Sequence, residues 1–219
     1  MPKPDLSEAI QDYLKEIYKL EASGARATTT AVARSLGVAP SSATAMVKKL
    51  AALELVDHAP YRGVELTEAG RQIALEVVRH HRLLEVYLAK TLGLGIDAVH
   101  AEADRLEHVI SEELEARIDQ ALGFPTHDPH GDPIPDAALN LDAGSLRALG
   151  ELAPGESATV RRIPDGDAAL LRYLADRELV PGCEVVVQES DPPAGPVTVD
   201  VDGRRHELSG ELAGRIGVG

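Results

Sequence analysis

Apolar residues recur every three or four positions from Leu6 to Leu20, which predicts a first amphipathic helix over LSEAIQDYLKEIYKLEAS. The stretch TTTAVARSLGV predicts a second, short helix with a threonine as its N-cap and Gly37 at its end. A third helix is predicted over APSSATAMVKKLAALELV, with Pro40 near its first turn and a serine pair that can cap it. The stretch LVDHAPYRGVELTEAG then alternates apolar and polar residues around a turn, which predicts a two-stranded hairpin.

Two short helices joined by the tight turn GVAP and followed by a hairpin are typical of a winged helix-turn-helix, whose third helix would enter the major groove of DNA. A trihelical domain that binds protein would show the same local pattern, and serine or threonine at a helix start is more often a cap than a DNA contact. The candidate DNA contacts on this third helix, the turn of the hairpin and the nearby basic positions are Arg26, Ser41, Ser42, Thr44, Lys48, Lys49, Tyr61 and Arg62.

The net charge of −14 argues against a nucleic-acid partner until its distribution is considered. Residues 1–73 have no net charge, whereas residues 74–140 carry −8 and residues 141–219 carry −6. Within the first segment, residues 24–64 carry +3. A surface that faces DNA must therefore lie in residues 24–64.

Two long helices are predicted in the acidic middle segment, over RQIALEVVRHHRLLEVYLAKTLG and DAVHAEADRLEHVISEELEARIDQALG. Each carries an apolar stripe wide enough to pack against a partner. Helices after a DNA-binding unit commonly form the two-fold contact that matches a palindromic site, which predicts a homodimer through residues 74–122. An ordinary helical hairpin that packs within its own chain fits the pattern too.

A stretch rich in proline, glycine and aspartate, HDPHGDPIPDAALNLDAGS, indicates a linker or extended arm, and short strands around one small helix then predict a β-barrel. The expected fold is mainly α with a small β domain, divided into residues 1–73, 74–140 and 141–219. The start MPKPDLSEAI lacks the pattern of a secretion signal, and no apolar run is long enough for a membrane span. With Cys183 as its single cysteine, the chain is expected to be soluble and cytoplasmic, without a membrane partner.

Histidines and carboxylates line the two middle helices at helical spacing. His81 and Glu85 are four residues apart on one helix, and His100, Asp104, Glu107 and His108 form a stripe on the other if that helix is continuous. Imidazole and carboxylate suit divalent first-row metals, although such residues also form ordinary solvated surfaces. A di-iron enzyme would need Glu-x-x-His on two helix pairs, which the chain lacks, so no enzymatic activity is expected.

The strings DYLKEIYKL, HHRLLEVYL and VHAEADRLEHVIS resemble the diphtheria toxin repressor family of iron- and manganese-dependent transcription regulators. LVPGCEVVV and AGRIGV are similar to the SH3-like (FeoA-like) domain of the longer members. The resemblance implies a winged helix-turn-helix, a helical dimerisation domain and an SH3-like barrel. It also implies a homodimer that binds a palindromic double-stranded DNA operator and represses metal-uptake genes. The remaining alternative is a metal-binding helical protein that acts as a buffer or interaction module without operator binding.

The resemblance also implies two ligand sets, so one or two ions per subunit. The primary set corresponds to Asp12, Asp104, Glu107 and His108. The ancillary set corresponds to His81, Glu85 and His100, with Asp167 of the SH3-like domain, or with Asp128 and His130 of the arm as in other members. Manganese regulators that hold two close ions have a glutamate where this sequence has Lys15, so no close pair is expected.

Asp12 and Asp104 bear on the choice of metal, because iron-sensing members tend to carry sulfur ligands at those two positions. Hard oxygen donors suit Mn²⁺ and tolerate Fe²⁺, so a Mn²⁺-responsive regulator with Fe²⁺ as a partial activator is predicted. Without a cation, Asp12, Asp104 and Glu107 are expected to repel one another and loosen the first helix. Binding of the ion would then fix the two recognition helices at the spacing of the operator half-sites.

Overall fold

A computed structural model describes residues 6–59, 63–142, 144–191 and 195–219. The chain divides into two compact units. The first consists of Met1–His80, Glu107–Ile110 and Pro135–Asn140, and the second of His81–Leu106, Ser111–Ile134 and Leu141–Gly219. The predicted fold class is confirmed, since the chain is mostly helical with a C-terminal β-sheet domain. The domain boundaries at residues 73 and 140 stay a prediction.

Before residue 68, the described part of the first unit forms three helices and a hairpin, as the apolar periodicity predicts. These elements are α1 (Glu8–Ala22), α2 (Thr29–Ser35), α3 (Pro40–Ala52), β1 (Val56–Ala59) and β2 (Gly63–Leu66), and β1 pairs antiparallel with β2. Thr28 caps α2 by accepting a hydrogen bond from the Ala31 amide. Leu14, Ile17 and Leu50 are fully buried, so the apolar stripes of α1 and α3 contribute to one core.

The middle of the chain forms three helices rather than two. The first predicted long helix is confirmed as α4 (Glu68–Leu92), but the second is wrong, because it is divided into α5 (Val99–Leu106) and α6 (Glu112–Ala121). Ser111 accepts a hydrogen bond from the Leu114 amide and so caps a new helix at this point. Glu107 and His108 therefore follow α5 instead of extending its face.

The β domain lies in the second unit. It comprises β3 (Arg147–Ala148), a 3₁₀ turn (Leu149–Glu151), β4 (Ser157–Arg162), α7 (Ala168–Ala175), β5 (Glu184–Ser190), β6 (Val197–Val201), β7 (Arg204–Leu208), α8 (Gly210–Ala213) and β8 (Gly217–Val218). The strands form one antiparallel sheet in the order β3-β8-β4-β5-β6-β7 around a core of aliphatic side chains. Among the described residues the sheet stays open between β3 and β7, so the predicted closure into a barrel is not observed.

Membrane insertion of a helix finds no support in the described ranges. None of the helices there combines the length and the apolar character that crossing a bilayer requires.

Candidate metal-binding clusters

The first cluster consists of Asp12, Glu107 and His108, all in the first unit. Asp12 lies on α1, and the other two residues directly follow α5. The Nε2 atom of His108 is 2.9 Å from Asp12 Oδ1 and 3.4 Å from Glu107 Oε1. One ligand atom from each residue lies within 4.8 Å of those of the other two, which is the arrangement that a small divalent cation requires.

The ring of His108 is oriented from both sides. Its Nδ1 lies 2.7 Å from the Oε1 of Gln11, while Nε2 faces Asp12. The hydrogen bond with Asp12 raises the pKa of His108, against the opposing effect of burial. When the ring loses its proton, donation from Nδ1 to Gln11 leaves the lone pair of Nε2 directed at the two carboxylates, as a metal ligand needs.

Lys15 is the neighbour of the first cluster that carries a positive charge. It lies one turn after Asp12 on α1, and its Nζ is 2.6 Å from Glu107 Oε1. The side chains of Lys15 and Glu107 are 10% and 0% exposed. From the sequence, the carboxylates are expected to repel one another without a cation. In the structure, however, Glu107 is paired with Lys15 and Asp12 with His108.

The second cluster surrounds the buried carboxylate of Glu85 on α4. Its Oε1 lies 3.0 Å from His81 Nε2 and 3.1 Å from His100 Nδ1. Burial raises the pKa of Glu85, but the interactions with His100, His130 and His81 outweigh it and hold this pKa well below its usual range. The cluster, all within the second unit, consists of His81, Glu85, His100, Asp104, Asp128 and His130.

Asp104 belongs to this second cluster in the structure. Its Oδ1 is 3.4 Å from His81 Nδ1 and its Oδ2 is 3.6 Å from His100 Nε2. The resemblance assigns Asp104 to the primary set with Asp12, whereas the structure places it against two histidines of the ancillary set. The reason is that α5 ends at Leu106, so Asp104 does not share a helical face with Glu107 and His108.

The arm that follows α6 brings Asp128 and His130 to the other oxygen of Glu85. His130 Nδ1 is 3.6 Å from Glu85 Oε2, and its Nε2 donates a hydrogen bond to the Ile96 carbonyl. This donation leaves the lone pair of Nδ1 directed at Glu85 when the ring is neutral. Burial alone would lower the pKa of His130, but its interaction with Glu85 and the charge of Asp128 raise it to about 9.

A tight turn fixes these arm residues in place. The Oδ1 of Asp128 accepts hydrogen bonds from the amides of His130 and Asp132, and its Oδ2 is 3.7 Å from Arg82 Nε. Burial and the charge of Glu85 raise the pKa of Asp128 to about 7. Gly131 has a φ of +90°, and a Cβ atom there would lie 1.8 Å from the Arg161 carbonyl oxygen.

A divalent cation fits the second cluster on the evidence of two buried atoms. Glu85 Oε2 and His130 Nδ1 are buried and face each other across 3.6 Å, and neither has a partner within hydrogen-bond distance among the described residues. Such atoms cost free energy unless a ligand satisfies them. Since the donors of both clusters are carboxylate oxygens and imidazole nitrogens, the donor chemistry is that of Mn²⁺, Fe²⁺ or Zn²⁺ sites.

Asp167, which the resemblance assigns to the ancillary set, caps a helix in the structure. It is exposed, and its Oδ1 accepts hydrogen bonds from the amides of Ala169 and Leu170, which makes it the N-cap of α7. The assistance of Asp167 to the ancillary site stays a prediction. Gln11 contacts His108 and Arg82 contacts Asp128, and the sequence predicts neither residue as part of a cluster. Their only signal in the sequence is a polar side chain within one turn of a candidate ligand.

The predicted DNA contacts have mixed surroundings. Arg26, Ser41, Ser42, Lys48 and Lys49 are exposed. Thr44 donates its hydroxyl hydrogen to the Pro40 carbonyl, so that hydrogen bond lies within α3 itself. The N-cap of α3 is Ala39, which leaves the serine pair without the predicted capping role. Tyr61 and Arg62 lie outside the described residues.

Comparisons with known proteins cover almost the whole chain. Residues 5–64 match the N-terminal DNA-binding domain of iron-dependent repressors, residues 67–136 their metal-binding and dimerisation domain, and residues 147–219 a FeoA domain. The iron-dependent repressor IdeR of Mycobacterium tuberculosis is 34% identical over 98% of both chains.

Two solved structures are similar over a comparable length. A manganese-dependent transcriptional repressor in complex with manganese has a TM-score of 0.89 at 41% identity, covering 95% of this chain and 98% of that one. The manganese regulator SloR has a TM-score of 0.82 at 31% identity, with 96% and 97% covered. Each of these proteins is similar in fold and sequence to the chain over all its domains.

Proposed function

The chain belongs to the family of iron-dependent repressors that includes the diphtheria toxin repressor, and we propose that it is a manganese-responsive repressor of metal-uptake genes. As a family member it is a metal-dependent DNA-binding transcription regulator with a dimerisation domain, not an enzyme. The finer proposal concerns the metal, the ligands and the genes. Fe²⁺ is proposed as a partial activator.

The observation that carries the choice of metal is the absence of sulfur from both clusters in the described part of the chain. Every ligand atom there is a carboxylate oxygen or an imidazole nitrogen, and Cys183 is a half-buried residue just before β5. Hard oxygen donors suit Mn²⁺, while thiolates favour later metals. Similarity to structures described as manganese-dependent repressors supports the same choice.

The proposed ligands at the first cluster are Asp12, Glu107 and His108, and those at the second are drawn from the residues around Glu85, including Asp128 and His130. Up to two ions per subunit would then bind. When bound, a divalent ion supplies two positive charges to these buried and half-buried carboxylates. Asp104 is proposed to act with His81 and His100, which it contacts, rather than with Asp12.

The proposed coupling to DNA depends on α1. Asp12 is carried by α1, which packs against α2 and α3 in the first unit. His108 holds the carboxylate of Asp12 beside the segment after α5, and Glu107 faces the same ring nitrogen. Fixing Asp12 there restricts α1, and with it the orientation of the recognition helix α3, so that metal and DNA binding become reciprocally coupled.

The operator is proposed to be palindromic double-stranded DNA, bound by a homodimer. The exposed residues Ser41, Ser42, Lys48 and Lys49 of α3 support contacts to the major groove and its phosphates. Exposed apolar side chains such as Leu114 and Phe124 support a self-association surface in the helical region.

The test first selects DNA sequences that the protein binds from a random pool. Binding to these sequences is then measured by fluorescence anisotropy with Mn²⁺, with Fe²⁺ and with a chelator. We expect specific binding with Mn²⁺, weaker activation by Fe²⁺ and none with the chelator. Asp12→Asn should lose most of the Mn²⁺ response, whereas the matched change Glu16→Gln on the same helix should retain it. Metal binding without any DNA retention would instead indicate a buffer or interaction module.

A further inference from the structure

A buried ion pair lies within the first cluster. The ammonium of Lys15 lies 2.6 Å from Glu107 Oε1, and the same oxygen is 3.4 Å from His108 Nε2. Lys15 is almost entirely buried, and the Glu107 side chain is fully buried. One of the two carboxylate oxygens of Glu107 is therefore already bound by a cation that belongs to the protein.

Two electrostatic consequences follow from this contact. A buried carboxylate without a compensating charge is costly, so the ammonium stabilises the metal-free protein by compensating Glu107. An incoming divalent ion must also share or displace that ammonium, and two cations a few ångströms apart repel each other. Both effects lower the affinity of the cluster for a divalent ion.

We propose that Lys15 is the resident counter-cation of the first cluster and raises the metal concentration at which the protein responds. Lys15 thereby sets the affinity of the cluster for the ion. It stabilises the metal-free form at the expense of the metal-bound form. This inference rests on the proposed function, in which Asp12, Glu107 and His108 bind a divalent ion.

A purely structural ion pair would behave in the opposite way. If Lys15 only held Glu107 in its place, removing the ammonium would misplace a ligand and weaken metal binding. If Lys15 competes with the metal, removing it strengthens metal binding and destabilises only the metal-free protein. The direction of the change in affinity therefore distinguishes the two roles.

The experiment uses the full chain with Lys15→Met, which keeps the aliphatic length without the charge, and Lys15→Gln, which keeps a hydrogen-bond donor. Lys15→Arg keeps the charge, and Lys90→Met removes an exposed lysine from α4 as a matched control. Mn²⁺ affinity is measured by isothermal titration at fixed pH and ionic strength. Urea unfolding is followed by circular dichroism, with a chelator and with saturating Mn²⁺.

We expect the Kd for Mn²⁺ to fall at least tenfold in Lys15→Met and Lys15→Gln, and to stay within about threefold of the wild type in Lys15→Arg and Lys90→Met. Lys15→Met should unfold at lower urea than the wild type with the chelator, and the difference should shrink with Mn²⁺. If the wild type binds Mn²⁺ but both neutral variants bind it equally or more weakly, the inference is overturned and the proposed function stands. A wild type that binds no Mn²⁺ overturns both.

Discussion

The pH dependence of the metal-free protein should report the contact between Glu85 and His130. The His130 side chain has no exposed surface, and its Nδ1 lies 3.6 Å from Glu85 Oε2. Burial opposes protonation of this ring, yet Glu85 and Asp128 raise its pKa from 6.5 to about 9. Replacement of Glu85 by glutamine keeps the size of the side chain and removes the charge that holds the proton.

The magnitude follows from the two pKa values. A rise from 6.5 to about 9 corresponds to a stabilisation of about 3 kcal/mol by the proton on His130, as an upper limit. Because the folded pKa exceeds the unfolded one, this contribution is fully present below pH 6.5 and is lost as the pH rises towards 9. Asp128, whose pKa is raised to about 7, adds a loss of the same sign over the range from 3.8 to 7.

Two measurements check this prediction in the presence of a chelator. Urea unfolding at pH 6.5, 7.5 and 8.5 should show stability falling with pH in the wild type and in Glu113→Gln, an exposed control on α6. Glu85→Gln should lose most of that slope, because burial then lowers the pKa of His130. Proton NMR should follow the His130 ring directly, with its signal identified by its loss in His130→Gln.

The same proton links pH to metal binding at the second cluster. Since His130 must be neutral to bind a cation, the apparent Mn²⁺ affinity there should rise about tenfold per pH unit between pH 7 and pH 9, above the pKa of Asp128. A wild-type stability that does not change between pH 6.5 and 9, or a Glu85→Gln variant with the full wild-type slope, would refute the reasoning.

Three further changes test separate parts of the structure. Lys48→Ala should weaken binding to all DNA sequences alike and lower the dependence of log K on log salt by about one, with Lys90→Ala unchanged. Asp167→Ala should lower the free energy of unfolding by about 1 kcal/mol, because the α7 cap is lost, and should leave the Mn²⁺ affinity unaltered. Weaker Mn²⁺ binding in this variant would instead indicate that Asp167 is a ligand. Gly131→Ala should lower the melting temperature measured by circular dichroism, because its Cβ would collide with the Arg161 carbonyl, and an unchanged value would contradict that contact.

The helices of the first unit were predictable because their signals are local. The apolar period of α1, the Thr28 cap of α2 and the proline at the start of α3 each act within a few residues. The break between α5 and α6 is local too, but Ser111 lies within an uninterrupted amphipathic period that favours one long helix. Periodicity alone therefore could not locate this boundary, and the predicted stripe from His100 to His108 does not form.

The clusters themselves depend on contacts that no local pattern contains. Gln11 reaches His108 across 97 positions and Lys15 reaches Glu107 across 92, so the sequence alone does not show that these side chains meet. The sequence does show the residue types of these clusters, since His and Glu at i and i+4 on a helix are typical of divalent-metal sites. It did not show which ligands belong together, because that depends on where a helix ends and how the arm turns at Gly131.

The ionic contacts change what metal binding means for this protein. Repulsion between uncompensated carboxylates would loosen the metal-free protein. However, Lys15 compensates the charge of Glu107, and His130, whose pKa is raised to about 9, compensates that of Glu85 when it is protonated. Entry of a divalent ion is then an exchange in which the protein gives up a proton or an ammonium contact for a stronger charge. If the proposed ligands bind the ion, this exchange lowers the affinity for the ion at both clusters. Under the proposed function, the sensor would respond only when the ion is abundant enough to displace the protein's own cations, which is the behaviour that regulation of metal uptake requires.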